Sequence, residues 1–333
     1  MVGAYRIFGS EMSPYSLKVR SYFRYKDIPH EWLLRGANAE EYQKYARLPI
    51  VPTLATPVGE GLQDSTPILE GLEAQVPTPS IYPADSTLKF LSQLIEEFGD
   101  EWGNKWMFHY RWKREIDQVS AAERIVADMM AGAPDADKTA MVGQVQARMK
   151  ERIGVVGSND TTTSLIEQTF RDGMSLLEAH LQSRSYLFGE RPSIADFGLS
   201  AQIYEAWTDP TAGAILNELA PKTCEWHQRM LDPQGQGDFE EWGSLSATLS
   251  PFLKGPVRLF LMWSDANAKA IAAGAPDMTV ELDGTTWSQS IGGPQKYHAK
   301  SLAELRRKFT EVSVRDELIT LLEGVGCLQW LRS

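Results

Sequence analysis

The stretch Ser13-Pro14-Tyr15-Ser16-Leu17-Lys18-Val19-Arg20 follows a strand-like run, Tyr5-Arg6-Ile7-Phe8, and the reading of the N-terminal part turns on it. Proline is tolerated in the first turn of a helix, where its missing N–H is not needed, and a serine just ahead of it is a ready N-cap. Leu17, Val19, Tyr22 and Phe23 recur roughly at helical spacing up to Lys26-Asp27, and Ile28-Pro29 stops that helix before a second strand, His30 to Leu34. This is a β-α-β unit. Working outward, Asn38 with Glu41 three residues on predicts a capped helix over Glu40 to Ala46. Thr53-Leu54-Ala55 and Gly61-Leu62-Gln63 predict short strands around a Pro57-to-Gly59 turn. Pro67 sits in the first turn of a helix through Ala74, and Pro77, Pro79 and Pro83 make a linker.

After Ala84 the pattern is helical almost throughout, the shift expected at a domain boundary. Asp85 is the N-cap of a long helix whose apolar stripe runs through Leu91, Leu94, Ile95, Phe98, Trp102 and Trp106 to about Trp112. Between about Arg114 and Asn159 two helical patterns, broken at Gly132-Ala133-Pro134, predict an inserted helical hairpin. Ser164-x-x-Glu167, Ser193-x-x-Asp196, Ser301-x-x-Glu304 and Ser313-x-x-Asp316 read as capping boxes that open further helices. The expected organisation is an α/β domain over 1–83, an all-α domain over 84–270 with the insertion at about 114–160, and a helical extension over 271–333.

Composition excludes several classes. A chain of 333 residues with 43% hydrophobic and 23% charged content builds ordinary cores. A net charge of -11 opposes nucleic-acid binding, and no basic leader or run of about 18 apolar residues points to secretion or a membrane span. The expected setting is cytoplasmic. The two cysteines, Cys224 and Cys327, lie far apart, and no Cys or His stands at metal-ligand spacing, so no metal is expected. The five histidines are dispersed and read as packing or surface residues.

Three motifs in this order resemble the glutathione S-transferase superfamily: Ser13 to Arg20 after the first strand, Val51-Pro52-Thr53-Leu54 with Gln63-Asp64-Ser65 behind it, and Tyr186 to Gly189 leading into Ser193 to Phe197. The resemblance covers roughly residues 3–230 apart from the insertion, and its extended C-terminus is similar to that of a bacterial subgroup. It implies a thioredoxin-like N-terminal domain that binds glutathione as co-substrate, an all-α C-terminal domain that holds a small, hydrophobic electrophile, a homodimer, and a detoxifying transferase. Apolar residues of the fourth helix would pack across the two-fold.

Such chemistry needs a thiolate. A free thiol titrates near about 8.5, and lowering that by about two units takes about 2.7 kcal/mol. A hydroxyl donating to the sulfur supplies about 1.5–3 kcal/mol and a helix N-terminus about 0.3–1 kcal/mol. Ser13 is placed for both, and the resemblance is to serine-type members in which this serine activates glutathione. Thioredoxin-like redox proteins carry Cys-Pro-x-Cys here, and serine at both positions, Ser13 and Ser16, removes disulfide exchange. Tyrosine-type activation would want Tyr where Phe8 stands. The resemblance also makes Val51-Pro52 a cis-proline turn whose backbone pairs with the cysteinyl part of glutathione. Ser65 would receive the γ-glutamyl carboxylate, and Asp64 or Gln63 the ammonium. Plain alternatives exist for each: Ser13 as a helix cap only, Val51-Pro52 as an ordinary turn, and Asp64-Ser65 as the cap of the following helix. Trp106 and Tyr110 are candidate walls of the electrophile pocket, against the alternative that an aromatic stripe at helical spacing is core. Ser193-x-x-Asp196 is assigned to folding alone. A rival from another class is a non-catalytic glutathione-fold module that uses its insertion and tail for protein contacts.

Overall fold

The computed structural model describes residues 4–313 and 315–332. Strand β1 (Tyr5–Gly9) leads through a turn into helix α1 (Pro14–Tyr25), which Pro14 opens, and then into β2 (His30–Leu34). Helix α2 (Ala39–Tyr45), β3 (Thr53–Ala55), β4 (Gly61–Gln63) and α3 (Ser65–Gln75) complete the N-terminal domain. The sheet order is β2-β1-β3-β4, with β1 parallel to β2 and antiparallel to β3, and β3 antiparallel to β4. Asn38 holds the N-cap position of α2 without capping it: its Nδ2 donates to the Leu34 carbonyl at 2.9 Å, and Glu41 pairs with Arg6 on β1 instead of closing a box.

Asp85 caps α4 (Ser86–Phe98) by accepting the Leu88 N–H at 2.7 Å, and the helix continues through a π-helical turn at Gly99–Gly103 into α5 (Asn104–Lys113). The hairpin expected from the insertion is α6 (Glu115–Met129) against α7 (Asp135–Glu151), turning where Gly132 takes φ 86°. A short 3₁₀ turn, Ile153–Val156, precedes α8 (Thr163–Leu181), whose N-terminus lies just ahead of Ser164, so Ser164 does not cap it. Next come α9 (Ile194–Trp207), α10 (Pro210–Leu219) and α11 (Pro221–Arg229). Helix α12 (Trp242–Phe252) passes through a second π-helical turn, Leu253–Val257, into α13 (Arg258–Ala272).

The tail departs from the all-helical expectation. Antiparallel strands β5 (Asp277–Leu282) and β6 (Thr285–Ser290) form a hairpin before α14 (Gly293–Thr310), α15 (Arg315–Gly324) and α16 (Leu328–Leu331). Asp283 (φ 46°) and Gly284 (φ 82°) are its two-residue loop, and an Asp-Gly pair with both φ positive matches the right-handed twist of the strands. Ser301-x-x-Glu304 is no helix start either. Helix α14 begins with Gly293-Pro294, where the Gln295 side chain reaches back to the Gly292 N–H at 2.9 Å, and Ser301 lies mid-helix. Capping boxes fit many sequences, whereas Gly-Gly-Pro fixes this start.

One continuous core joins both domains, with α9 at its centre. The Ser193–Asp196 capping box starts α9, and Asp196, fully buried, also accepts the Leu187 N–H at 2.8 Å and Trp226 Nε1–H at 2.9 Å. Gly99 and Gly198 let α4 and α9 cross closely: a Cβ on Gly99 would stand 2.8 Å from the Leu199 backbone. Helices α14 and α15 pack on α4, with the Phe309 ring 5.6 Å from Phe90, and every apolar side chain of α4 is buried. No helix among the described residues is long and apolar enough to cross a membrane.

Candidate glutathione site

The register of the sheet brings the motif loops together. Phe8 pairs with Thr53 and Thr53 with Gln63, so the loop after β1, the turn before β3 and the segment after β4 leave the sheet at one end. Ser13, Val51 and Asp64-Ser65 follow from these three places, and α1 and α3 start there, each presenting the positive end of its dipole. Such an end suits anions.

Ser13 is the N-cap of α1, and its Oγ accepts the Ser16 N–H at 3.3 Å. Accepting uses a lone pair, so the hydroxyl proton stays free to donate; capping and thiolate donation do not exclude one another. Ser16 is fully buried and its Oγ accepts the Ser10 N–H at 3.4 Å, a bond that holds the loop. Tyr5 begins β1, at the far end of the strand, and packs edge-on against Phe23 at 5.4 Å. Phe8 lies in a small cluster between the Tyr42 and Tyr45 rings.

The helical domain grips the loop ahead of Ser13. Asp128 on α6 accepts the Ser10 hydroxyl and the Glu11 N–H, and Arg111 on α5 donates to the Met12 carbonyl at 3.3 Å. Arg111 is itself fixed by Glu205 at 2.7 Å and Asp209 at 2.9 Å, and Arg124 joins the same cluster through Asp209 and Thr208. Burial pushes Glu205 up to about 7 despite the attraction of Arg111.

The Val51–Pro52 peptide is cis. Among the described residues neither the N–H nor the C=O of Val51 is hydrogen-bonded, which leaves a strand-like edge for a peptide ligand. Gln63 is not available as a ligand. Its Oε1 accepts the N–H groups of Arg47 and Leu48, both at 2.9 Å, while its Nε2 donates to the Leu48 carbonyl at 2.9 Å and to Thr53 Oγ1 at 2.8 Å. The side chain is spent on bracing the loop that carries Val51.

Asp64 stands at the N-cap of α3 but its side chain caps nothing, so the plain capping alternative fails for it. Its backbone, φ 80° and ψ 119°, is in a region that non-glycine residues rarely adopt and that costs about 1–3 kcal/mol. Ser65 is buried and is the first residue of α3, which thus starts two residues ahead of Pro67. Beneath this turn Lys18 is buried on α1 and donates to Glu96, to Asp100 at 2.7 Å and to Thr66 Oγ1 at 2.9 Å. Burial works against the Lys18 ammonium, but Asp100 and Glu96 outweigh it and raise its pKa. Burial also pushes Asp100 up to about 6, with Lys18 opposing. The π-helical turn supplies Asp100 and leaves its carbonyl to accept the Tyr15 hydroxyl at 2.8 Å.

Trp106 and Tyr110 are not placed as pocket walls. Trp106 is 1% exposed, donates to Thr169 Oγ1 at 3.0 Å and meets Phe98 and Phe170, and Tyr110, fully buried, packs on Phe170 at 4.7 Å. Both belong to the core between α5 and α8. Lys18, Asp100 and, from the tail, Tyr297 are site neighbours that sequence reading missed. Lys18 and Asp100 carried no sequence signal beyond a charge on a helix face that the fold buries.

Residues 7–80 match the model of the glutathione S-transferase N-terminal domain and residues 144–229 that of the C-terminal domain, so the second match begins inside α7. No curated protein matches the chain. Among solved structures, the chain is similar to a glutathione S-transferase of Methylobacterium radiotolerans in complex with glutathione sulfonate, at 18% identity over 72% of this chain and 97% of that one, with a TM-score of 0.41. It is similar also to a glutathione S-transferase of Methylobacillus flagellatus with glutathione bound (21% identity, 68% and 95% covered, TM-score 0.40). A third is a beta-etherase of a Sphingobium species (18%, 68% and 95%, TM-score 0.41). With the sheet, the cis turn and the two domain matches in sequence order, this chain belongs to the glutathione S-transferase superfamily.

Proposed function

We propose that the protein is a serine-type glutathione transferase that activates the glutathione thiol for attack on a small, hydrophobic electrophile. The observation that carries the reading is the Phe8–Thr53–Gln63 register, which gathers Ser13, the unpaired Val51 backbone and Asp64-Ser65 at one sheet end beside two helix N-termini. In this reading Val51 pairs with the cysteinyl backbone, Ser65 and the start of α3 take the γ-glutamyl carboxylate, and Asp64 takes its ammonium. Ser13 donates to the sulfur. The thiol proton leaves to solvent, the thiolate lone pair forms the new S–C bond, and the leaving group departs with its bonding electrons.

Calorimetry with glutathione and absorbance-monitored turnover of an aryl halide test this reading. Binding and turnover are expected, and replacing Asp64 and Ser65 by Ala should weaken binding at least about tenfold, roughly 1.4 kcal/mol. Binding without turnover would favour the non-catalytic module, and no binding would overturn both. Conjugation of this kind is a detoxifying chemistry suited to the reducing cytoplasm, and the two buried cysteines, Cys224 and Cys327, are free. The reading takes the chain as a monomer, since the apolar face of α4 expected to meet a second copy carries the chain's own α14 and α15.

A further inference from the structure

Helix α14 of the C-terminal extension reaches the turn at Asp64. Tyr297 donates its hydroxyl to Asp64 Oδ2, while Asp64 Oδ1 carries no hydrogen bond among the described residues. The contact is not a by-product of ring burial: Tyr297 is 48% exposed, so little apolar packing holds it there. What fixes α14 lies further along the helix, where Ser301 donates to Glu97 on α4 and Lys308 to Glu70 on α3 at 2.6 Å. Below Asp64 is a buried cluster in which Glu96 and Asp100 share Lys18 and the Thr66 hydroxyl, which donates to Glu96 at 2.6 Å, and the second oxygen of Asp100, Oδ1, is buried with no partner among the described residues. Asp100 is 7% exposed, and Thr66, two residues beyond Asp64, places its hydroxyl 3.4 Å from Asp100 Oδ2, so the two carboxyl-bearing turns adjoin. A carboxylate oxygen left bare in such a place costs free energy unless a donor reaches it. The cluster is short of a cation, and an ammonium with three donors is the chemistry that fits it.

We propose that Tyr297 is a positioning residue of the glutathione site, orienting Asp64 so that the free oxygens of Asp64 and Asp100 together take the α-ammonium of the γ-glutamyl group. The C-terminal extension thereby completes the site within one chain. Tyrosine spends its single proton on one oxygen of Asp64 and leaves the other for the ligand, and that carboxylate makes no cap bond to α3. This rests on the reading that the site binds glutathione, and the test separates the two.

The test uses the full chain, glutathione, and glutaryl-cysteinylglycine, which lacks only the α-ammonium. By calorimetry the wild type should bind glutathione at least about tenfold more tightly than the analogue. Tyr297→Phe, which keeps the half-exposed ring, should lose most of that preference while its affinity for the analogue is unchanged. In an Asp64→Asn background the Tyr297→Phe change should have no further effect. Wild type that binds neither ligand overturns the site reading and the proposal with it. Wild type that binds glutathione with Tyr297→Phe unaltered, or with both ligands weakened equally, leaves the site reading standing and overturns the proposal. Tighter glutathione binding by Tyr297→Phe would show the hydroxyl competing with the ammonium, and overturns it too.

Discussion

Of the hydroxyls near the start of the chain, Ser10 and Tyr15 spend theirs on Asp128 and on the Asp100 carbonyl, and the fold gives Ser13, Ser16 and Tyr5 different surroundings. Ser13 and Ser16 both stand at the N-terminus of α1 with hydroxyl protons that no bond among the described residues uses, but Ser16 is sealed beneath the loop, and Tyr5 opens the far end of β1. Ser13→Ala is expected to remove about 1.5–3 kcal/mol of thiolate stabilisation and raise the pKa of bound glutathione by about one to two units. Ser16→Ala and Tyr5→Phe should shift it little. An ultraviolet thiolate titration of bound glutathione reads all three, and a large shift confined to either of the latter would assign activation to that hydroxyl. Gln63 makes a different point at this scale, because a residue placed by motif beside the ligand is used by the fold for the loop over Arg47 to Ile50. Gln63→Ala should lower stability by about 1–3 kcal/mol in urea unfolding and also weaken glutathione binding through Val51. Weaker binding with an unchanged urea midpoint would mean that Gln63 touches the ligand after all.

At the scale of elements, the seam between α4 and α14 holds a carboxyl whose titration reports on it. Burial, and then the charge of Glu96, push Glu97 up to about 8 from its ordinary 4.5, while the bond from Ser301 opposes the shift. Between those two values the folded chain holds a proton that the unfolded chain has lost, so the stability this group contributes falls as pH rises through the window. Glu97→Gln should therefore gain stability relative to the wild type as pH goes from about 5 to about 8, with no further gain above. Urea midpoints at three pH values check this, and parallel curves would show Glu97 ionising normally. The crossing of α4 with α9 is the other sensitive seam. Gly99→Ala puts a methyl 2.8 Å from the Leu199 backbone, which cannot yield as a flexible side chain would, and an overpacking cost of about 1–3 kcal/mol is expected as a lower Tm.

For the whole molecule, the extension takes up part of the α4 surface on which the homodimer expected from sequence would rest. The apolar residues Leu88, Phe90, Leu91, Leu94, Ile95 and Phe98 of α4 are at most 3% exposed in the single chain, so the stripe that suggested a two-fold contact is already covered. Light scattering at micromolar concentration should give one species near 37 kDa. A dimer at that concentration would have to use another face or displace α14, and cross-linking to Phe90 would tell these apart.

The local grammar of the chain was enough for the sheet of the N-terminal domain and for several helix starts. Pro14 behind Ser13, Ile28-Pro29, the alternation in Thr53 to Ala55 and the caps at Asp85 and Ser193 each act within a few residues, so β1 to β4, α1, α4 and α9 were legible without a partner in view. The Asp283-Gly284 hairpin is equally local, but the helical patterns on both sides of it mask its two short strands. What sequence could not carry was any contact between segments far apart. The Tyr297–Asp64 bond spans 233 positions and Lys18–Asp100 spans 82, and neither leaves a periodic trace. Whether Trp106 faces a cleft or Phe170, whether Gln63 meets a ligand or its own loop, and what covers α4 depend on which surfaces the whole chain brings together. Burial and hydrogen-bond partnership are properties of that assembled interior, and only the tertiary structure decided them.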